Sequence, residues 1–126
     1  MITNLTLLLK IFFNPKLAIG LYLIHNIDER GQVIAGVKSG KIIYANRPFL
    51  EHIGRSIIEL RETPFIEFVA ESSKGDTSAI VETLKHGLTV YDFENDYVRP
   101  DGTVARCVWR SIIFNGLYAC TVKLKK

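Results

Sequence analysis

Residues that could form disulfide bonds or bind a metal are scarce in this sequence. Only two cysteines, Cys107 and Cys120, occur among the 126 residues, and both fall in strand-like apolar segments. Two cysteines do not form a disulfide framework, and no CxxC or Cys/His spacing typical of zinc is present. No Ser/His/Asp or Cys/His arrangement indicates nucleophilic catalysis. We therefore expect a reduced, cytoplasmic protein that has no metal site and is not an enzyme.

A strong charge of either sign is also lacking. The formal net charge is +3, and the basic residues are scattered except for the "KLKK" end. Such an end is typical of a solvated tail, so we expect no nucleic-acid partner. With 48% hydrophobic and 23% charged residues, the composition is that of a globular protein, and 126 residues are enough for one hydrophobic core.

The longest apolar run, "LTLLLKIFFNPKLAIGLYLI", lies near the N-terminus. It follows no positively charged start and precedes no small-residue cleavage site, which argues against a signal peptide. Lys10, Asn14, Pro15 and Lys16 near its centre argue against a membrane-spanning helix. Two short helices, with Asn14 as the cap and Pro15 opening the second helix, fit the pattern better.

Residues 1–31 are accordingly predicted to form an apolar helical segment that packs against the following domain or against a partner copy. Contact with a membrane surface and a disordered end are the two alternatives. The apolar side chains expected to make the packing contact are Leu8, Phe12, Leu17 and Leu21.

In the following domain, residues 32–126, the stretch "GKIIYANRPFLEHIG" contains residues that start and end secondary-structure elements. An apolar strand ends at Asn46, a residue type whose side-chain oxygen caps helix N-termini well. Pro48 is tolerated in the first helical turn, and Gly54 occupies the place of a left-handed C-terminal cap. A strand followed by a short helix is therefore predicted here, with Asn46 and Gly54 in structural roles.

Further turn signals divide the rest of the first half. Ser39-Gly40 predicts a tight hairpin between "QVIAGVK" and "KIIYA", and Ser56 with Glu59 has the spacing of a capping box. Asp76 is predicted to cap the helix "TSAIVETLKH", which leaves "AESSKGD" as a loop.

The last forty residues alternate as strands. In "LTVYDFENDYV", period 2 places Tyr91, Phe93 and Tyr97 on one face. In "TVARCVWRSIIF", Ala105, Cys107, Trp109 and Ile113 share one face, and Val104, Val108, Ile112 and Phe114 share the other. The Asp-Gly pair ending at Gly102 and Asn115-Gly116 are turn signals. Five strands are expected, near residues 33–38, 41–45, 89–98, 103–114 and 117–124.

This order of elements resembles the PAS domain family over residues 32–124. The similarity rests on "SGKIIYANRPFLEHIGRSIIEL" and on "YDFENDYVRPDGTVARCVW", taken together and at this separation. It implies an α+β fold, in which a five-stranded antiparallel sheet carries short helices on one face. Many members of the family hold a small ligand between the helices and the sheet.

The same resemblance disfavours two known cofactors and leaves the cofactor unknown. Flavin–cysteine photochemistry needs a reactive thiol where this chain reads "ELRETPFIEF". The heme sensors of the family carry their iron-binding His where this chain reads "SSKGDTS". Neither segment has the required residue.

What the resemblance implies is a sensory module that binds a small ligand and passes a signal through dimer contacts to an effector protein outside this chain. The alternative is a ligand-free PAS domain used only for protein–protein contact or dimerisation. A homodimer is expected, formed when the N-terminal helices and the open sheet face (Val104, Val108 and Ile112) pair across a two-fold axis; covering that face within one chain is the other option. The candidate ligand-pocket residues are Phe49, Ile53, Phe65, Phe68, Leu84, Tyr91, Phe93, Cys107 and Trp109.

Overall fold

A computed structural model describes residues 30–126 of the chain. The predicted N-terminal helices, with Leu8, Phe12, Leu17 and Leu21, lie outside the described residues. The described part has an α+β fold built on one antiparallel sheet of five strands, in the order β2-β1-β5-β4-β3. The strands are β1 (Gly31–Gly36), β2 (Ile42–Ala45), β3 (Val90–Val98), β4 (Val104–Phe114) and β5 (Leu117–Lys125). The predicted five-stranded sheet is confirmed, with most strand ends shifted by one or two residues.

Four helical elements connect β2 to β3. They are α1 (Arg47–Ile53), α2 (Ile57–Glu62), a 3-10 turn (Phe65–Phe68) and α3 (Glu71–Lys85). The helical elements pack on the inner face of the sheet, which is the face that carries Val33, Cys107 and Val122 in the hydrophobic core. We call the opposite side the outer face.

Asn46 joins the sheet to α1 through both ends of its side chain. Its Oδ1 accepts hydrogen bonds from the backbone N–H of Phe49 (3.3 Å) and of Gln32 (2.8 Å). Its Nδ2 donates to the backbone carbonyl of Arg30 at 2.8 Å. The predicted N-cap is confirmed, and the same amide also ties the helix start to β1. Gly54 ends α1 in the left-handed conformation with φ of 68°, as predicted.

The other predicted turns are partly right. Ser56 and Glu59 form both hydrogen bonds of a capping box, and Gly102 adopts a φ of 88° in the turn between β3 and β4. The hairpin between β1 and β2 is not the tight turn expected at Ser39-Gly40. Its link is five residues long (37–41), because the ladder closes at the hydrogen bond from the Gly36 N–H to the Lys41 carbonyl.

The prediction that Asp76 caps the long helix is wrong. Helix α3 already begins at Glu71, after Ala70, which has no capping side chain. Bonds to β3 replace the cap: the Ala70 N–H donates to the Asp96 carbonyl at 2.8 Å, and the Asp96 N–H donates to Ser73 Oγ at 3.2 Å. These tertiary hydrogen bonds anchor the start of the helix to β3, and no local sequence signal marks them.

A β-bulge determines which side chains of β3 lie on the inner face and which on the outer face. Val90 pairs with Ser111 and Phe93 pairs with Trp109, so three steps on β3 match two steps on β4. Asp92 absorbs the extra residue with a φ of 55°. Phe93 therefore faces the inner side, whereas Tyr91 faces out.

Strand β4 alternates as predicted. Ala105, Cys107 and Trp109 are buried on the inner face. On the outer face Val104 is 51% exposed, whereas Val108 and Ile112 are half-buried. The predicted assignment of the two faces is thus confirmed.

Candidate functional site

A cavity of about 60 Å³ lies between α3 and the inner face of the sheet. All five strands contribute to its wall, and α3 and the 3-10 turn close the opposite side. Since holding one water takes roughly 10–15 Å³, the space is several times what a single water molecule needs. The lining side chains belong to Val33, Ala35, Ile42, Phe65, Thr77, Ile80, Val81, Leu84, Phe93, Asn95, Tyr97, Trp109, Ser111, Tyr118 and Cys120.

A chain of hydrogen bonds runs along one wall of this cavity. The Trp109 indole Nε1–H donates to Asn95 Oδ1 at 2.6 Å, and Asn95 Nδ2 donates to Thr77 Oγ1 at 3.2 Å. The Thr77 hydroxyl in turn donates to the Ser73 carbonyl at 2.7 Å. Asn95 is only 4% exposed. A buried amide thus connects strands β3 and β4 to α3.

Tyr97 lies two residues beyond Asn95 on the same face of β3 and is 2% exposed. Its ring packs against those of Phe49 and Trp109, with centroids 5.8 Å away in each case. Burial holds the pKa of Tyr97 well above its usual range, so the hydroxyl stays protonated. No hydrogen bond to this hydroxyl is made by any of residues 30–126.

A buried thiol lies at the end of the cavity formed by β4 and β5. The Ser111 hydroxyl donates to Cys120 Sγ at 3.2 Å. Burial raises the pKa of Cys120 to about 11, against an ordinary thiol value of 9.0. Protonated thiols of this kind are poor nucleophiles, so Cys120 acts here as wall and weak hydrogen-bond partner.

Among residues 30–126, no Asp, Glu, Lys, Arg or His side chain lines the cavity. Its polar groups are neutral amides, hydroxyls, an indole and a thiol. The site therefore offers hydrogen bonds in an apolar setting and no ionic partner.

The structure separates the predicted pocket residues into three groups. Phe65, Leu84, Phe93 and Trp109 line the cavity. The buried residues that do not line it are Phe49, Ile53, Phe68 and Cys107. Tyr91 is 66% exposed, and its ring lies 5.8 Å from the guanidinium carbon of Arg110, so its predicted place in the pocket is wrong. The bulge at Asp92 is the physical reason.

Sequence reasoning missed most polar groups of the site. Thr77, Asn95 and Ser111 line the cavity, but none was a candidate from the sequence. The available signal was Asn95, which the alternation of β3 places between Phe93 and Tyr97 on an otherwise apolar face. A polar residue at such a position indicates a buried hydrogen-bond network.

An open groove lies between α1 and the ends of β4 and β5, and its walls are rich in cations. Several of these are already paired: Arg47 with Glu51 at 2.7 Å, and Arg106 with Glu94 at 2.8 Å. Within residues 30–126, no group of three His, Cys, Asp or Glu side chains could hold a metal ion. No helix in that part of the chain is long and apolar enough to cross a membrane. The apolar cavity with its buried hydrogen-bond chain is the better candidate site.

Comparison with known proteins finds the fold but no sequence relative. No family model matches the chain, and no curated protein matches its sequence. Among solved structures, a domain of a sensory box sensor histidine kinase/response regulator from Geobacter sulfurreducens is similar, with a TM-score of 0.69 and 13% identity over 87% of this chain and 96% of that one. The PAS domain of an HTR-like protein from Haloarcula marismortui is also similar. Its TM-score is 0.66 at 16% identity, over 88% of this chain and 99% of that chain.

A third similar structure is the PAS domain of the RpfR quorum-sensing receptor from Cronobacter turicensis, which was solved in complex with BDSF. Its TM-score is 0.65 at 15% identity, over 78% of this chain and 95% of that chain. These likenesses, together with the strand order and the helices on one face, show that this chain has a PAS-like fold.

Proposed function

We propose that this protein is a sensory or signalling module that binds a small ligand in the cavity between α3 and the sheet. The observation that carries the proposal is the cavity itself, which is apolar and yet holds the buried chain Trp109–Asn95–Thr77. Apolar walls with a few convergent polar groups are the usual make-up of a small-molecule site. A PAS domain of similar fold was solved with BDSF bound, which supports a ligand-binding role for this fold.

The cavity is lined by the sheet and α3, the elements that could change conformation when a ligand binds. Asn95 links β3 to α3 through Thr77, and the start of α3 is tied to β3 through Ala70 and Ser73. A ligand that displaces Asn95 would therefore act on both the sheet and the helix. Such a two-sided connection is what a signalling module needs in order to convert binding into a change at its surface.

The chain provides its own reporter for a binding test. Trp109 is the single tryptophan, so a ¹H–¹⁵N spectrum of the full chain contains one indole N–H resonance. We expect this resonance to shift when a small-molecule library includes a ligand, and native mass spectrometry to show one bound molecule per chain. A library that moves neither the resonance nor the mass contradicts the proposal.

The signal output is proposed to pass through the outer face of the sheet. Val104, Val108 and Ile112 lie along β4 on that face with Arg106 and Arg110 between them, and Val104 is 51% exposed. We call these three apolar residues the strip. Apolar surface rimmed by polar residues marks contact surfaces. We propose that the strip, together with residues 1–31, forms a homodimer interface that transmits the signal to an effector, and that the protein works in the reducing cytoplasm.

A matched pair of variants tests the dimer. Ile112→Lys places a charge in the strip, whereas Ile58→Lys makes the same change at a residue that is 65% exposed on α2. By light scattering, the parent chain and Ile58→Lys are expected to be dimers, and Ile112→Lys a monomer. A parent chain that is monomeric contradicts this part of the proposal.

The second candidate is a ligand-free interaction module. The observation in its favour is the small cavity, because pockets for drug-sized ligands measure roughly 300–1,000 Å³. A dimer that binds nothing in the library screen would support this alternative.

A further inference from the structure

We infer that the cavity selects a small neutral molecule carrying a carbonyl-type oxygen, which accepts hydrogen bonds from the Asn95 amide and the Tyr97 hydroxyl. This inference rests on the proposed ligand-binding function and names the chemical class of the ligand. Three features of residues 30–126 carry it: a spare amide N–H, a spare hydroxyl on the same strand face, and a lining without charge.

The Asn95 amide has one donor left over. An indole N–H can only donate, so the Asn95 atom 2.6 Å from Trp109 Nε1 must be the oxygen. The nitrogen then faces Thr77, whose own hydroxyl hydrogen is used on the Ser73 carbonyl, so Thr77 can only accept from it. An amide nitrogen carries two hydrogens. The second one has no partner among residues 30–126.

Tyr97 supplies the second donor. Residues i and i+2 of a strand point to the same side, so Asn95 and Tyr97 both face the cavity. The hydroxyl of Tyr97 is protonated and has no hydrogen bond within the described part of the chain. Two unused donors on one face of β3 would each gain a hydrogen bond from a ligand oxygen that reaches both.

The neutral lining decides against a charged ligand. No cationic side chain of the described part of the chain lines the cavity, so an ionised carboxylate would lose its hydration without gaining an ionic partner there. A ketone, ester or lactone oxygen needs only the two donors. The apolar remainder of the molecule would lie against Phe65 and Leu84.

Two probes of the same shape test this selectivity. Cyclohexanone carries the oxygen, and methylenecyclohexane replaces it by a CH2 group that cannot accept a hydrogen bond. Binding to the full chain is followed by the Trp109 indole resonance. We expect cyclohexanone to bind about tenfold more tightly, since one or two neutral hydrogen bonds account for that factor. Cyclohexanecarboxylate at about pH 7 should not bind.

Two tyrosine variants test whether the Tyr97 hydroxyl causes the preference for cyclohexanone over methylenecyclohexane. Tyr97→Phe removes the proposed donor and keeps the ring contacts, so the preference for cyclohexanone should fall to about threefold or less. Tyr118→Phe is the matched control, because Tyr118 lines the cavity from β5 but also lines a separate surface groove beside Glu82 and Lys85 of α3. The control should keep the full preference.

The outcomes separate this inference from the proposed function. Equal affinity for the two probes, an equal loss in both tyrosine variants, or tighter binding of the carboxylate overturns the inference while leaving a ligand-binding module in place. Absence of binding by all three probes also overturns it. The proposed function falls with it only if the wider library yields no ligand either.

Discussion

The indole N–H of Trp109 and the side-chain oxygen of Asn95 are joined by a 2.6 Å hydrogen bond across β3 and β4. The strand register pairs Asn95 with Cys107 and Trp109 with Phe93, so the bond joins a diagonal pair on the inner face. The donor is buried with its acceptor at the edge of the cavity. The same amide then reaches Thr77 on α3, which makes it the polar centre of the proposed site.

Replacing Asn95 by Ala should destabilise the protein by about 1–3 kcal/mol, because the buried Trp109 donor loses its acceptor. Chemical denaturation measures this change. The indole proton should also move upfield in the ¹H–¹⁵N spectrum as its short hydrogen bond is lost. Thr83→Ala is a suitable control, since its hydroxyl bonds the Ala79 carbonyl on the exposed side of α3. An unchanged indole resonance in Asn95→Ala would refute the hydrogen bond.

Replacing Asn46 by Ala should cost more than a typical N-cap loss. An N-cap alone contributes about 0.5–2 kcal/mol, and Asn46 makes two further hydrogen bonds, a buried one with Gln32 and a partly buried one with Arg30. We expect a loss of about 2–4 kcal/mol. Ser56→Ala removes a cap that has no such tether, and about 1 kcal/mol is expected there. Equal losses for the two variants would show that the link to β1 contributes nothing.

Two glycine-to-alanine changes should have opposite signs. Gly54 has a φ of 68°, so Ala at that position should lower the free energy of unfolding by about 1–2 kcal/mol. Gly75 lies inside α3, and a Cβ there would meet nothing within 4 Å. Ala at position 75 should therefore raise the free energy of unfolding by about 0.5–1 kcal/mol. Thermal unfolding distinguishes the two, and destabilisation by Gly75→Ala would contradict the early start of α3.

Neither cysteine should react with iodoacetamide in the folded protein at about pH 8. Burial raises the pKa of Cys107 to about 12 and that of Cys120 to about 11, so almost no thiolate exists at that pH. Mass spectrometry should show alkylation only after denaturant unfolds the chain. Rapid labelling of either thiol without denaturant would contradict their burial.

The same pKa values predict an alkaline loss of stability. The unfolded chain releases its thiol protons near the ordinary value of 9.0, whereas the folded protein retains them up to about 11 or 12. The stability that the buried neutral thiols contribute is therefore fully present below pH 9. It is lost as the pH rises through the pKa values of the folded protein. Unfolding measured from about pH 8 to 11 should show the decline, and Cys120→Ser should reduce its slope.

Local rules predicted the elements whose cause is local. Asn46 and Ser56 cap their helices as the sequence indicated, because a cap depends on the side chain and the next three residues. The start of α3 could not be predicted in this way. Its first turn is held by Asp96, a residue of β3 that is distant in the sequence, and Ala70 gives no signal of its own.

The site was predictable in outline only. Alternation placed Phe93 and Trp109 on the inner face correctly, because a regular strand has period 2. The bulge at Asp92 breaks that period, and it turned Tyr91 outward without a proline or glycine to mark it. The pairing of Asn95 with Trp109 depends on the register of two strands, which no single segment contains.

An isotope-filtered NOE spectrum of the full chain with bound cyclohexanone tests the central claim most directly, because it shows where a small molecule lies. The account predicts contacts from the ligand protons to Leu84 on α3 and to the Trp109 indole on β4, which lie on opposite walls of the cavity. Contacts confined to the open groove beside α1, around Arg99 and Lys123, or no contact to either wall residue, would contradict it.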